Sequence, residues 1–99
     1  MTVRHAVLFQ FNDDATPEQV TAMQAGLARL PGLIPELIDY QFGTDLGIND
    51  TSWDFAITAD CATVDDYLTY RDHPDHQAFI RDHITPLVAN RVSVQYEID

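Results

Sequence analysis

The chain has 99 residues and a hydrophobic content of 45%, which suits one folded domain over residues 1–99 and excludes disorder as the default. Sixteen acidic residues against five basic ones give a net charge of −11, so we expect no nucleic-acid partner and no docking on anionic membranes. A single cysteine, Cys61, allows no disulfide within the chain, and together with the lack of a visible signal peptide it predicts a cytoplasmic location.

Alternating residues at the start of the chain predict a strand over residues 3–11. One face of this strand carries His5, Val7 and Phe9, and the other carries Leu8. Because both faces hold apolar side chains, we expect both to be covered in the folded protein.

A helix is predicted after the first strand. Thr16 is its N-cap, Pro17 suits the first helical position, and Gln19 completes a capping box. Apolar residues at three- and four-residue spacing give this helix one buried face. Pro31 and Gly32 are predicted to end it.

Three further strands and a broken helical unit fill the rest of the chain. The strands are predicted over residues 38–46, 53–59 and 92–98, where apolar residues alternate with polar ones. The helical unit between the last two strands begins after the N-cap Thr63.

The helical unit is predicted to break at His73-Pro74. The residue before a proline is pushed out of helical geometry, and Pro74 suits the first position of a new helix. This second helix is predicted to extend through Val88, with Pro86 inside it causing a kink or shortening it.

The element order is βαββαβ, which is typical of a ferredoxin-like α+β fold with a four-stranded antiparallel sheet and helices on one face. The other face of such a sheet is bare in one subunit, although the first strand gives it Ala6 and Leu8. We therefore predict a homodimer whose two sheets pack into a barrel.

Two histidines and a tyrosine beside the helix break are candidates for chemistry. With Pro74 in the first helical position, His73 is the N-cap and His76 is the third residue, where the helix N-terminus favours a neutral imidazole. A neutral imidazole can act as a general base, and Tyr70 ends the preceding helix close by. His5 joins them if its strand face meets the helices. The alternative is that these residues only cap helices and pack in the core.

The same segment holds metal-ligand residue types without a metal-ligand pattern. His73 and His76, with Asp72 and Asp75, lie across a helix start, and the sequence fixes no third ligand, so we predict no side-chain metal site. Cys61 has no basic neighbour to favour its thiolate, and we predict no catalytic thiol.

Several segments resemble the stress-responsive A/B barrel (Dabb) family, and the resemblance covers essentially the whole chain. They are Arg4-His5-Ala6-Val7-Leu8-Phe9, the stretch from Leu30-Pro31-Gly32 to Phe42-Gly43, Tyr70-x-x-His73-Pro74-x-His76, and Val92-x-Val94-x-Tyr96. The resemblance implies a dimeric α+β barrel, in agreement with the fold predicted above. Many members of this family have no assigned activity, and some are linked to stress responses in plants.

One branch of that family cyclises linear polyketides by an intramolecular aldol condensation. The resemblance implies that His76 and Tyr70 form the proton-transferring pair and that His5 lines the pocket, whereas Phe55 stands where that branch has a further pocket histidine. Some members bind a divalent cation through backbone carbonyls of the segment that matches residues 30–34. Such a cation is the one cofactor that the resemblance implies.

These observations predict a small-molecule pocket between sheet and helices, with His76 and Tyr70 as catalytic residues. The predicted lining consists of His5, Val7, Phe9, Phe55 and His73. The ligand is expected to be small and hydrophobic or polyketide-like. The alternatives are a non-catalytic stress-response or ligand-binding dimer and a barrel monooxygenase that holds a quinol or haem.

Overall fold

A computed structural model describes all 99 residues of the chain, Met1–Asp99. Four strands form one sheet, and the helices cover one of its faces. The elements are β1 (Thr2–Phe11), α1 (Pro17–Leu33), β2 (Asp39–Thr44), β3 (Phe55–Cys61), α2 (Val64–Asp72), α3 (Pro74–Phe79), a π-helical turn (Ile80–Ile84) and β4 (Val88–Ile98).

The sheet has the strand order β2-β3-β1-β4, and every neighbouring pair is antiparallel. β1 is central and places His5 opposite Ala59 of β3 on one side and opposite Gln95 of β4 on the other. This topology confirms the predicted ferredoxin-like α+β fold with a four-stranded antiparallel sheet.

The helix starts follow the predicted caps. The Thr16 hydroxyl accepts a hydrogen bond from the Gln19 backbone N–H at 3.2 Å, and the Gln19 side-chain oxygen accepts one from the Thr16 N–H at 2.9 Å. These two bonds are the predicted capping box. The Thr63 hydroxyl accepts from the Asp66 N–H at 3.0 Å and starts α2. No helix combines the length and the apolar character needed to cross a membrane.

The core lies between the helices and the face of the sheet that carries the odd-numbered residues of β1. It contains a cluster of fifteen buried residues, to which α1 contributes the predicted stripe and β3 contributes Phe55 and Ile57. Met23 and Leu27 on α1 are completely buried. Burial of this stripe provides most of the driving force for α1 to form, since isolated helices of this length are marginal in water.

Two predicted boundaries in the first half of the chain are wrong. α1 continues through Pro31 and Gly32 to Leu33, because the next residue, Ile34, is fully buried and its N–H donates to the Leu30 carbonyl at 2.9 Å. Burial of Leu30 and Ile34, on either side of this exposed turn, offsets the unfavourable effect of the proline inside it. β2 is shorter than predicted and spans Asp39–Thr44.

The third strand is displaced from its predicted start and runs over Phe55–Cys61. Asp54 lies outside it because its polar groups are bound to the end of β1. The Asp54 N–H donates to the Phe9 carbonyl at 2.8 Å, and its carboxylate accepts from the Phe11 N–H at 2.8 Å.

The predicted extent of the second helix, from Pro74 through Val88, is also wrong, although shortening was one of the two effects predicted for Pro86. α3 ends at Phe79, and a π-helical turn follows in which the Thr85 N–H donates to the Ile80 carbonyl at 2.9 Å. Pro86 lies beyond this turn, since it has no N–H with which to continue a helical ladder. Val88 is therefore the first residue of β4 rather than part of a helix.

The face of the sheet away from the helices is apolar and open in one subunit. Leu8 is 44% exposed, and the β4 residues Val92, Val94 and Tyr96 are 46%, 58% and 46% exposed. The alternate residues of β4 are polar and lie on the helix side, where no helix covers them; they are Arg91, Ser93, Gln95 and Glu97.

The close approach of α1 and α3 at Gly26 gives a first test of the fold. A Cβ atom at Gly26 lies 2.8 Å from two ring atoms of Phe79, whereas one at Gly32 has no neighbour within 4 Å. Gly26→Ala should therefore destabilise the protein by about 1–2 kcal/mol, although alanine favours a helix. Gly32→Ala is the matched control and should be neutral or stabilising by up to about 1 kcal/mol. Urea denaturation measures both, and equal stabilisation by the two substitutions would contradict the packing of α1 on α3.

Candidate functional site

The junction between α2 and α3 determines where His76 lies. His73 has φ −59° and ψ 135°, so α2 ends there, as predicted for a residue before proline. The Nδ1 atom of His73 accepts a hydrogen bond from the Asp75 N–H at 3.1 Å and caps α3. This contact is the predicted N-cap. In a continuous helix, the Asp75 N–H donates to the Arg71 carbonyl instead.

His76 forms a hydrogen bond with the Arg71 carbonyl, which the break between α2 and α3 leaves without its helical partner. Its Nδ1 atom lies 2.9 Å from the Arg71 oxygen, and because a carbonyl only accepts, Nδ1 carries the proton. The Gln77 side-chain amide donates to the same oxygen at 2.6 Å. The imidazole is further held by stacking on Tyr70, with ring centroids 4.2 Å apart.

The tautomer of His76 leaves its Nε2 atom with a free lone pair. All buried side-chain nitrogen and oxygen atoms in the protein have hydrogen-bond partners, so this unpartnered nitrogen reaches solvent. Partial burial lowers the pKa of His76 below its ordinary value, which keeps the ring neutral near neutral pH. A neutral imidazole with an accessible Nε2 can accept a proton and can therefore act as a general base.

The side chain of Tyr70 is buried rather than open to a ligand. It is only 2% exposed, and its hydroxyl lies 3.2 Å from that of Tyr40 on β2. Burial raises the pKa of both phenols, to about 12 for Tyr40, so neither ionises near neutral pH. The contacts of Tyr70 thus suit it to orient the His76 ring.

His5 comes to the same cluster from β1. Its ring packs on Tyr67 with centroids 5.2 Å apart and lies 6.3 Å from that of Tyr70. The Gln95 amide donates to His5 Nδ1 at 2.9 Å, which places the proton of neutral His5 on Nε2. Burial, with the nearby His76 and Arg91 adding to the effect, lowers the pKa of His5 to about 4. His5 is therefore a neutral hydrogen-bond donor, and His76 is a neutral acceptor.

The structure brings together three of the predicted site residues, His76, Tyr70 and His5. His73 is occupied as a helix cap. The other predicted lining residues, Val7, Phe9 and Phe55, belong to the core and are at most 7% exposed. Their contact with a ligand stays a prediction.

His5 and His76 lie partly exposed at the surface of one subunit rather than in the wall of an enclosed cavity, and Tyr70 is buried behind them. The three well-defined hollows of the protein do not reach His5, Tyr70 or His76. The largest, of about 770 Å³, lies between β2, β3 and the loop that joins them. Another, of about 290 Å³, lies between the π-helical turn and the start of β4 and includes Arg91.

Sequence reasoning missed Tyr40, Gln95 and Arg91 of this region, whereas it placed Tyr67 beside Tyr70. Tyr67 was visible as a partner of Tyr70, three residues away on one helix. The others arrive through strand pairing, and Gln95 is 90 residues from His5 along the chain. The signal for Gln95 and Arg91 is the register of β1 with β4, and the signal for Tyr40 is the register of β2 with β3; periodicity alone gives neither.

Neither Cys61 nor a cluster of metal-binding side chains adds chemistry here. Burial and the nearby Asp66 and Asp60 raise the pKa of the Cys61 thiol to about 11, so it stays protonated. No group of three or more His, Cys, Asp or Glu side chains is arranged to hold a metal ion.

The backbone at the end of α1 is compatible with the cation that the resemblance implies. The carbonyls of Pro31, Gly32 and Leu33 accept no backbone hydrogen bond, and the last turn of α1 has no basic side chain. Helix C-termini carry partial negative charge, which favours a cation. A cation held by these carbonyls stays a prediction.

Comparisons with known proteins give matches over nearly the whole chain. The family model described as the stress responsive A/B barrel domain (Dabb) matches residues 3–98. A dimeric ferredoxin-like protein of unknown function from Thermobifida fusca is 45% identical with a TM-score of 0.91, over 99% of this chain and 92% of that one. A dimeric ferredoxin-like protein of unknown function from Bacteroides fragilis is 26% identical with a TM-score of 0.84, over 98% and 96% of the two chains.

A hydroxynitrile lyase from Passiflora edulis also has this fold. It is 22% identical with a TM-score of 0.87, and the match covers 99% of this chain and 94% of that one. At this level of identity the match shows the fold alone. No curated protein sequence matches the chain.

The depressed pKa of His5 predicts a pH-dependent loss of stability. Its pKa falls from 6.5 to about 4 on folding, so between these values the unfolded chain binds a proton that the folded protein does not. Stability should be fully present above pH 6.5 and should fall as the pH drops toward 4. Because His5 is partly exposed, we expect its share to be on the order of 1 kcal/mol.

The His5→Gln variant isolates this contribution because glutamine also accepts from Gln95 but does not titrate. Urea denaturation of both proteins at several pH values between 4 and 7 gives the two slopes, and carboxylates contribute equally to each. A wild-type slope no steeper than that of the variant would contradict the assignment of a neutral, partly buried His5.

Proposed function

This chain belongs to the stress-responsive A/B barrel family, and from that premise we propose that it is a homodimeric, cofactor-independent lyase or cyclase with His76 as general base. One observation carries this proposal: a neutral imidazole is fixed by the Arg71 carbonyl and by Tyr70, with its Nε2 free and open to solvent. A base held in one orientation is the main requirement for reactions that begin with removal of a proton.

The reaction that suits this site is an intramolecular aldol condensation of a linear poly-β-keto chain. His76 Nε2 removes a proton from a carbon between two carbonyls, and the resulting enolate carbon attacks a distant carbonyl carbon to form the new C–C bond. The alkoxide that forms takes a proton back from the imidazolium, and loss of the resulting hydroxyl group with a neighbouring α-hydrogen as water completes the condensation. The donor that stabilises the enolate oxygen is the Nε2–H of His5.

In this proposal Tyr70 is an orienting residue. Its hydroxyl is bound to Tyr40 and its ring supports His76, so it acts through the imidazole rather than through the substrate. The hydroxynitrile lyase of the same fold shows that this scaffold is compatible with lyase chemistry. Cleavage of a C–C bond beside a hydroxyl group also begins with proton transfer to a base.

The second candidate is a non-catalytic dimeric module, and tight packing favours it. Tyr70 is buried and paired, His73 caps α3, and His76 fills the hydrogen bond left open at Arg71. In this case the same residues stabilise the helix break and nothing more. The predicted cytoplasmic location stays a prediction for both candidates.

The homodimer in this proposal is supported by the open face of the sheet. Leu8, Val92 and Val94 form an exposed apolar surface across β1 and β4, and the similar proteins from Thermobifida fusca and Bacteroides fragilis are described as dimeric. Such surfaces on small proteins usually mark interfaces. Packing of two such faces produces the predicted barrel.

Replacing His76 tests the catalytic proposal. Turnover of a linear triketide thioester, or of mandelonitrile as the lyase probe, should fall by roughly a hundredfold or more in His76→Ala, because the base is lost. His83→Ala is the matched control, since His83 lies further along the same helical segment against Phe79 and has no part in the site. Product formation measured by liquid chromatography gives the rates.

Two further variants separate catalysis from structure. Tyr70→Phe keeps the ring that stacks on His76 and should lower kcat less than His76→Ala does. If the wild type turns over neither probe, or if His76→Ala retains full turnover, His76 is not the base. A loss of thermal stability in His76→Ala with no activity in any form of the protein would support the non-catalytic module.

A charge on the open sheet face should dissociate the dimer. Val94→Asp places a carboxylate on the apolar face, where burial of an unpaired charge is strongly unfavourable, and should yield a monomer at micromolar concentration. Ser93→Asp is the matched control, because residue 93 lies next to it on the same strand but on the opposite face. Light scattering after size-exclusion chromatography measures the mass, and a dimeric Val94→Asp variant would contradict this interface.

A further inference from the structure

Arg91 on β4 has no role in the fold that explains its position. Three of the five arginines pair with carboxylates: Arg4 with Asp60, Arg71 with Asp72 and Arg81 with Asp82. Arg91 has no such partner.

The position of Arg91 connects it to the histidine cluster. It lies opposite Phe9 in the pairing of β1 with β4, on the same face as Gln95, which binds His5. Its positive charge contributes to lowering the pKa of both His5 and His76, so it lies within electrostatic range of both rings.

Arg91 is also one of the residues that line an apolar hollow. This hollow of about 290 Å³ lies against the π-helical turn, and its lining residues are Ile80, Ile84, Thr85, Val88, Ala89 and Arg91. Its volume is at the lower end of the range for small-molecule sites, about 300–1,000 Å³. Ile80 and Ile84 lie four and eight residues after His76, so the hollow lies beyond His76 along the same helical unit, and it does not include His76 itself.

We propose that Arg91 is the anion-binding residue of this site and that the ligand is a short-chain carboxylic acid, or a substrate ending in a carboxylate, whose apolar chain lies against Ile80 and Ile84. The guanidinium presents paired donors that match a carboxylate. The apolar wall then holds the chain, and the carbon next to the carboxylate faces the two imidazoles. This inference rests on the proposed function only in taking the surface around His5 and His76 as the substrate site.

Electrostatics make the assignment specific to this position. The net charge of −11 opposes the approach of any anion, so a carboxylate binds only where a local cation outweighs the long-range field. Arg29 is the other arginine without an ion pair, but it lies on α1, in a hollow shared with Asp75 and Asp82. Arg91 is the arginine whose hollow contains no acidic side chain.

A binding experiment with hexanoate and its neutral analogue hexanamide tests this inference. Titration of the ¹⁵N-labelled dimer with hexanoate should shift the backbone amide signals of residues 80–91 and yield a Kd. Arg91→Gln should weaken hexanoate binding by roughly tenfold or more, and Arg91→Lys should weaken it less. Arg29→Gln is the matched control and should bind as the wild type does. Hexanamide should bind the wild type no better than hexanoate binds Arg91→Gln.

Several results would overturn the inference. These are equal hexanoate affinity in Arg91→Gln and Arg29→Gln, equal affinity of the wild type for hexanoate and hexanamide, or a fall in mass of Arg91→Gln to a monomer without a change in affinity, which would assign Arg91 to the subunit interface. Binding is measured without turnover, so its outcome is separate from that of His76→Ala. Hexanoate bound through Arg91 with full turnover in His76→Ala would sustain this inference and reject the proposed base.

Discussion

The Arg71 carbonyl is the contact on which the arrangement of the candidate site depends. Pro74 has no N–H and forces His73 out of helical geometry, so α2 ends at Asp72. The Asp75 N–H, which in an unbroken helix would donate to Arg71, donates to His73 instead. The open carbonyl then accepts from the side chain of His76, which fixes both the orientation and the tautomer of that ring. A single proline thereby turns a backbone acceptor into the positioning group of a histidine.

The two faces of β4 explain why one short chain needs a partner and yet leaves His5 and His76 open to solvent. Its outward side chains are apolar and continue the face begun by Leu8, which one subunit leaves in water. Its inward side chains are polar because the helices cover only β1, β2 and β3, and no core reaches them. The edge of the helical layer therefore lies above the polar, inward side chains of β4. His5 and His76 meet solvent along this line, while Tyr70 behind them is buried.

Local signals predicted much of this structure because they depend on neighbours in sequence. The capping box at Thr16, the cap at Thr63 and the break at His73 each use side chains within three residues of the backbone groups that they satisfy. Errors arose where tertiary contacts override local preference. Burial of Ile34 carries α1 past Pro31, and the π-helical turn ends the second helical unit before Pro86. His5, Tyr70 and His76 could be grouped from alternation and helical spacing, whereas Tyr40, Gln95 and Arg91 depend on strand order and register.

The protonation state of the histidines shows which electrostatic effects dominate in so acidic a protein. A net charge of −11 would be expected to raise the pKa of a histidine, and Asp72 and Asp75 flank His76 closely in sequence. The pKa of His76 is nevertheless lowered, because partial burial is the largest effect and outweighs the hydrogen bond to the Arg71 carbonyl, which raises it. Distant carboxylates are screened by solvent and salt, while the charge of Arg91 contributes to lowering the pKa of both imidazoles. An acidic surface and neutral histidines therefore coexist, since local groups and not the net charge determine the protonation of His5 and His76.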